Sequence, residues 1–124
     1  MPPLTAIALE GDPKAALARI PVRAGVGQIL GPEGKNLVIG RAANLRKWAG
    51  NHLGFAREVA KGRRPPTDLR PIATTVCFIE ASSGFHQRLL FEAALADCAA
   101  RFGIAGFLAA GSARHDEIFH DPLA

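Results

Sequence analysis

The sequence predicts a small α/β domain in which a three-stranded, mainly antiparallel sheet is flanked by helices. The chain has 124 residues, of which 48% are hydrophobic, and this suits one compact domain with a modest core. Two short apolar runs, "AGVGQIL" and "NLVIG", are separated by "GPEGK", whose glycines and proline are typical of a hairpin turn. The predicted order of helix, hairpin, helix, strand and helix fits a layered sandwich.

The helices around the hairpin are predicted from their ends and their apolar spacing. In "GDPKAALARIP", Asp12 is a candidate N-cap, Pro13 takes the first helical position and Pro21 ends the helix. From Ala42 to His52, residues suited to a core recur at spacings of three and four. These residues are Leu45, Trp48, Ala49 and His52.

The second half of the chain begins with a polar loop, "KGRRPPTDLRP", in which prolines exclude regular structure. The β-branched and apolar "IATTVCFIE" is predicted as a buried strand. A helix follows from His86 to Phe102, with Ser82 or Ser83 as its cap. Its apolar stripe is Phe91, Leu95, Cys98 and Phe102. "IAGFLAAG" is either a strand or a short helix, and we expect residues 1–113 to form the domain and residues 114–124 a flexible polar tail.

Several functional classes are disfavoured by composition. No run approaches the roughly 18 apolar residues that a membrane span needs, and the N-terminus lacks the pattern of a signal peptide, so we expect a cytoplasmic protein with no membrane partner. Cys77 and Cys98 lack the CxxC spacing of zinc or redox sites, and we interpret both as small buried hydrophobes.

Positive charge is concentrated in one segment. The chain has a net charge of +4, whereas the segment from Arg41 to Arg70 has eight basic residues against two acidic ones, a net charge of +6. The eight are Arg41, Arg46, Lys47, Arg57, Lys61, Arg63, Arg64 and Arg70. Such a segment favours a nucleic-acid backbone as partner, and the alternative is a solvated helix face followed by a soluble loop.

The run "ALARIPVRAGVGQILGPEGKNLVIGRAANLRKWAGNHL" resembles the start of a GIY-YIG nuclease domain, most closely the N-terminal domain of the bacterial excinuclease. The matching residues are Ile20 and Pro21, Gly25 to Gly27, Val38 to Gly40, Arg41 and Ala42, and Asn44 to Arg46. Further on, "RLLFEAAL" resembles the family's later helix, in which Glu92 holds the place of an acidic metal ligand. The resemblance covers about Ala15 to Gly103 and implies the same order of elements.

The resemblance implies hydrolysis of phosphodiesters by two tyrosines, an arginine, a glutamate that binds a divalent cation, and often a later asparagine. This chain has no tyrosine. Gly27 and Val38 occupy the tyrosine positions, Trp48 occupies the arginine position, and no asparagine follows Glu92. Arg41 stands where the family often has lysine. Because loss of a general base alone typically costs about 10²- to 10⁴-fold in rate, we expect little or no catalysis.

Substitute catalytic groups have structural alternatives. Lys35, His52 and His86 are candidate bases, but they also suit a turn, a helix C-terminus and a helix first turn. Glu92 is either a weak ligand for Mg²⁺ or Mn²⁺ or the surface partner of Arg88 four residues earlier.

Two further features are weighed in the same way. Trp48 either fills the hollow left by the absent tyrosine rings, which we expect, or stacks on an unpaired base. The tail has side chains with ligand chemistry, but the spacing of its histidines does not stack them on one helical face. These side chains are His115, Asp116, Glu117 and His120.

Three functions are compatible with these features. The first, which we expect, is a non-catalytic domain that binds nucleic acid, with DNA as the expected polymer given the resemblance to a DNA-repair nuclease. The others are a metal-dependent endonuclease with a rebuilt site and a module that binds a protein partner. The residues expected to contact nucleic acid, and to be solvated, are Arg41, Arg46, Lys47, Arg63 and Arg64.

Overall fold

The computed structural model describes residues 4–54, 69–102, 107–109 and 117–120, and the side chains of residues up to Ala94 and of Ala96. The strands are β1 (Thr5–Ala8), β2 (Gly25–Leu30), β3 (Asn36–Ala42), β4 (Thr75–Glu80), β5 (Phe107–Ala109) and β6 (Glu117–His120). The helices are α1 (Pro13–Ala18), α2 (Leu45–His52) and α3 (Gly84–Phe102), and a 3-10 turn spans Pro32–Gly34. The helices in the described residues are too short or too polar to cross a membrane.

The described strands form one sheet in the order β1-β4-β2-β3-β6-β5, and every pair is antiparallel. The predicted hairpin and its neighbouring strand are confirmed, because β2 pairs with β3 on one side and with β4 on the other. Gly27 lies opposite Gly40 of β3 and Phe78 of β4. The predicted α/β class is therefore confirmed, and the three predicted strands form the middle of a sheet that has six strands in the described residues.

The prediction of a tail outside the domain is wrong for Glu117–His120. These residues form β6, which pairs with β3 so that Glu117 lies opposite Gly40 and Phe119 opposite Val38. The prediction of residues 1–113 as the whole domain therefore needs correction, since the sheet continues beyond it. A four-residue strand has no readable periodicity, and its backbone pairing covers the otherwise open edge of β3. His115 and Asp116 lie outside the described residues.

Helix ends follow the capping residues. The Asp12 carboxylate accepts a hydrogen bond from the Lys14 amide at 3.0 Å, which confirms the predicted start of α1. α2 starts at Leu45 rather than Ala42, because β3 continues to Ala42 and the Asn44 side chain caps the helix by accepting from the Lys47 amide at 3.1 Å. α3 starts at Gly84, and the Ser83 hydroxyl accepts from the His86 amide at 3.4 Å.

The two faces of the sheet hold separate apolar clusters. Side chains alternate between faces along each strand, so Gly25, Gly27 and Ile29 face α1 and α2 while Val26 faces α3. The larger cluster includes Ile7, Ala16, Ile20, Ile29, Leu37, Val38, Leu45, Trp48, Ala49, Leu53, Val76 and Phe78. The smaller cluster contains Val26, Ile39, Ala81, Leu90 and Phe91.

The predicted core positions can be compared with these clusters. The four predicted core positions of α2 are all buried. Cys77 is a buried free cysteine, as expected. The side chain of Cys98 lies outside the described part of α3.

Candidate nucleic-acid interface

Three of the positions that the family resemblance marks as catalytic lie together in the larger apolar cluster. The indole of Trp48 lies directly over Gly27, where an added Cβ atom would be 2.7 Å from Cε3 and 2.9 Å from Cη2 of the ring. Trp48 is 8% exposed and Val38 is fully buried. The indole therefore occupies the space that any side chain at position 27 needs, and no water-accessible base lies at these positions.

This packing decides between the two interpretations of Trp48. An indole with 8% exposure has no open face for a nucleotide base, so the expectation that it fills the hollow is confirmed. The His52 ring contacts the indole edge-on, with centroids 5.1 Å apart and planes 70° apart. His52 is 5% exposed and belongs to this packing, which places it away from any substrate in solvent.

The fourth family position, Glu92, is not brought to this cluster. It lies on α3, which covers the opposite face of the sheet, and its carboxylate is exposed and 3.3 Å from Nε of Arg88. The other candidate bases are also apart, with Lys35 at the hairpin turn and His86 in the first turn of α3. Within the described ranges, no group of three or more His, Cys, Asp or Glu residues is placed to hold a metal ion. A lone carboxylate paired with an arginine does not fit the Mg²⁺ or Mn²⁺ site that the family implies.

Arg46 has a structural role that its sequence position does not reveal. Its Nε donates to the carbonyl oxygen of Ile20 at 2.8 Å, and its Nη2 donates to that of Ala18 at 3.2 Å. These carbonyls lie at the C-terminal end of α1, where the helix leaves acceptors without intrahelical partners. The expectation of a merely solvated Arg46 therefore needs correction, because the guanidinium ties α1 to α2.

Four exposed cations surround this contact between α1 and α2. Arg19 lies between the two carbonyls that Arg46 binds, and the Arg23 carbonyl accepts from the Leu45 amide at 2.8 Å, which brings Arg23 to the start of α2. We call this surface the basic junction; its residues are Arg19, Arg23, Arg46 and Lys47. Residues 13–54 have seven basic residues and one acidic residue, so little negative charge in this part of the chain offsets the junction.

The N-terminal amides of α2 are already used within the protein. The Leu45 and Arg46 amides donate to the carbonyls of Arg23 and Pro21, and the Lys47 amide donates to Asn44. A phosphate at this end of α2 would therefore be held by side chains rather than by free backbone amides. Arg23 also lies 3.8 Å from a carboxylate oxygen of Glu80, but both side chains are largely exposed, so this pair is weak.

The single basic segment predicted from the sequence is divided by the fold. Arg41 alternates with Gly40 along β3 and faces α3, where its Nη2 donates to the Gly84 carbonyl at 3.4 Å. Arg41 and Lys47 therefore lie on opposite sides of the sheet, and the expectation that they form one surface is wrong. The guanidinium of Arg70 lies against Gly54, beyond the other end of α2. Arg63 and Arg64 lie outside the described residues.

Arg19 and Arg23 were missed by a charge count that began at Arg41. The signal was present in the sequence, because the predicted first helix ends beside these two arginines with no acidic residue near them. No protein-family model, curated protein or solved structure matches the chain. Membership of the GIY-YIG family therefore stays a prediction from the motif residues.

Proposed function

We propose that this protein is a non-catalytic, GIY-YIG-like domain that binds nucleic acid, with DNA as the expected polymer. The observation that carries the proposal is the basic junction, where four exposed cations meet at the contact between α1 and α2. Arg46 is held by two hydrogen bonds, so part of the surface is ordered before a ligand binds. Cations at this density attract a polyanion and release its counterions on binding.

The absence of catalysis is supported by the packing of the family positions. Hydrolysis of a phosphodiester needs a base beside the nucleophile and positive charge on the transition state. Gly27 and Val38 offer no proton acceptor, and Trp48 replaces the family's arginine with a buried indole. Glu92 lies across the sheet from all three residues.

The strength of binding is expected to fall steeply with salt. If the four residues of the basic junction and Arg63 and Arg64 in the following loop neutralise about four to six phosphates, the logarithm of the association constant falls against the logarithm of salt with a slope of about −3 to −5. Contacts of this kind depend on the backbone, so strong sequence preference is not expected.

The test compares two double variants of equal charge. R19A/K47A removes two cations from the basic junction, whereas K14A/K35A removes two cations from the start of α1 and from the hairpin turn. Both changes lower the net charge from +4 to +2, since each removes two positive charges. Binding of fluorescent single-stranded and branched DNA would be measured by anisotropy from about 50 to 300 mM salt, the range in which phosphate contacts dominate.

The proposal predicts that R19A/K47A weakens binding and makes the slope shallower by about 1.4 to 1.8, or about 0.7 to 0.9 per lost contact. K14A/K35A is expected to stay close to the wild type. Equal effects of the two variants would mean that only total charge matters, and would contradict the assignment of the basic junction. No binding at about 50 mM salt would reject the nucleic-acid function and favour a protein partner.

A further inference from the structure

The outward side of α3 has an apolar stripe that the domain does not bury. Phe85 and Leu89 are 75% and 50% exposed, and Ala93 and Ala96 are also exposed. Their spacing of four, four and three residues places them along one face of the helix. Leu90 and Phe91, on the inner side of the same helix, pack against the sheet. We call the four outward residues the outer stripe.

We propose that the outer stripe is a homodimer interface in which two copies of α3 pack antiparallel about a two-fold axis. The first support is shape. The stripe has a large residue, Phe85, at its N-terminal end and small residues, Ala93 and Ala96, at its C-terminal end. In an antiparallel pair centred near Leu89, each phenyl ring lies over the alanines of the other copy, and the two Leu89 side chains meet at the axis. A two-fold interface must be self-complementary in this way.

The second support is charge. Arg88 and Glu92 flank the outer stripe on one side and form an exposed pair at 3.3 Å within the helix. A two-fold axis perpendicular to two antiparallel helices brings the same flank of both helices together. Arg88 of each copy then faces Glu92 of the other, so the pair within one helix becomes a four-charge network across the interface. No like charges are opposed along this flank.

The dimer leaves the proposed nucleic-acid surface open. The outer stripe lies on the α3 side of the sheet, whereas the basic junction lies on the side of α1 and α2. Self-association therefore does not cover Arg19 or Lys47. The two proposals can fail independently, because the salt dependence of DNA binding and the mass of the particle are separate measurements.

The first test measures self-association by sedimentation equilibrium for the wild type, L89R and V22R. Leu89 lies at the proposed axis, whereas Val22 is similarly exposed, at 59%, and lies away from α3. We expect a monomer–dimer equilibrium in the wild type and in V22R. L89R is expected to raise the dissociation constant at least about tenfold, because it places unpaired charge at the centre of an apolar contact. Circular dichroism would check that each variant is folded.

The second test distinguishes the antiparallel pair from other modes of association. R88E has only acidic residues on the flank, and E92R has only basic ones, so each variant is expected to dimerise less well than the wild type. An equimolar mixture of the two is expected to recover dimers, since each mixed dimer restores both opposite-charge contacts. An unmixed and a mixed sample with the same dissociation constant would overturn the proposed arrangement. A wild type that stays monomeric up to about 1 mM, well above the affinity of a specific interface, would overturn the dimer itself.

Discussion

Substitution of Gly27 by alanine tests the packing that replaces the expected catalytic group. An added Cβ would lie within 3 Å of the indole of Trp48, with the Cε3 and Cη2 atoms at 2.7 and 2.9 Å. The ring has little room to move, because it is buried and contacts His52. Overpacking of this kind costs about 1–3 kcal/mol of unfolding free energy. We therefore expect G27A to be destabilised by that amount.

The same substitution is expected to change sign when the indole is absent. W48A alone should lose about 3–5 kcal/mol, as large-to-small core substitutions of Trp do. In the W48A background the added methyl group enters vacated space, and alanine in a strand is favoured over glycine by about 0.5–1 kcal/mol. The double-mutant cycle should therefore give a coupling free energy of about 1.5–4 kcal/mol.

Urea unfolding followed by far-ultraviolet circular dichroism is the appropriate assay, because the chain has one tryptophan and W48A loses the fluorescence signal. G84A is the matched control, since an added Cβ there meets only Nη2 of Arg41, at 3.9 Å. Its effect should add to that of W48A without coupling. If G27A cost the same free energy with and without Trp48, the indole would not be the group that excludes a side chain at position 27.

Two further predictions follow from side chains whose roles the structure defines. R46A should lose about 1–3 kcal/mol of unfolding free energy because it removes two charge-assisted hydrogen bonds to the end of α1, whereas K47A should stay within about 0.5 kcal/mol of the wild type; equal effects in urea unfolding would contradict the assigned role of Arg46. Burial raises the pKa of the Cys77 thiol from its ordinary value of 9.0, so the stabilising neutral thiol is fully effective below pH 9 and its contribution falls as pH rises further. The stability of the wild type should therefore fall more steeply above pH 9 than that of C77A, and parallel profiles would contradict this linkage.

The central strands could be predicted from the sequence because their signals are local. Two apolar runs joined by "GPEGK" specify β2 and β3, and a β-branched run specifies β4. β1 and β6 have four residues each, and they exist as strands through pairing with distant segments. Such short edge strands have too few residues for a periodic pattern, so the sequence alone did not predict them.

The site was predictable in part. The replacement of the family's tyrosines and arginine was readable from the motif residues, and the expected burial of Trp48 is confirmed. The division of the basic segment was not foreseen, although strand alternation between Gly40 and Arg41 contained the signal. The role of Arg46 was not readable, since its acceptors, Ala18 and Ile20, lie 28 and 26 residues away in the chain.

The central claim is that this domain binds nucleic acid without cleaving it. The most direct measurement incubates the purified protein with labelled branched and single-stranded DNA in Mg²⁺ or Mn²⁺, and scores mobility shift and cleavage on the same samples, with E92A alongside. We predict a salt-sensitive shift, intact DNA, and the same behaviour for E92A, because Glu92 is remote from Gly27 and Trp48. Cleavage by the wild type that disappears in E92A would contradict the claim, since it would identify a working metal-dependent nuclease.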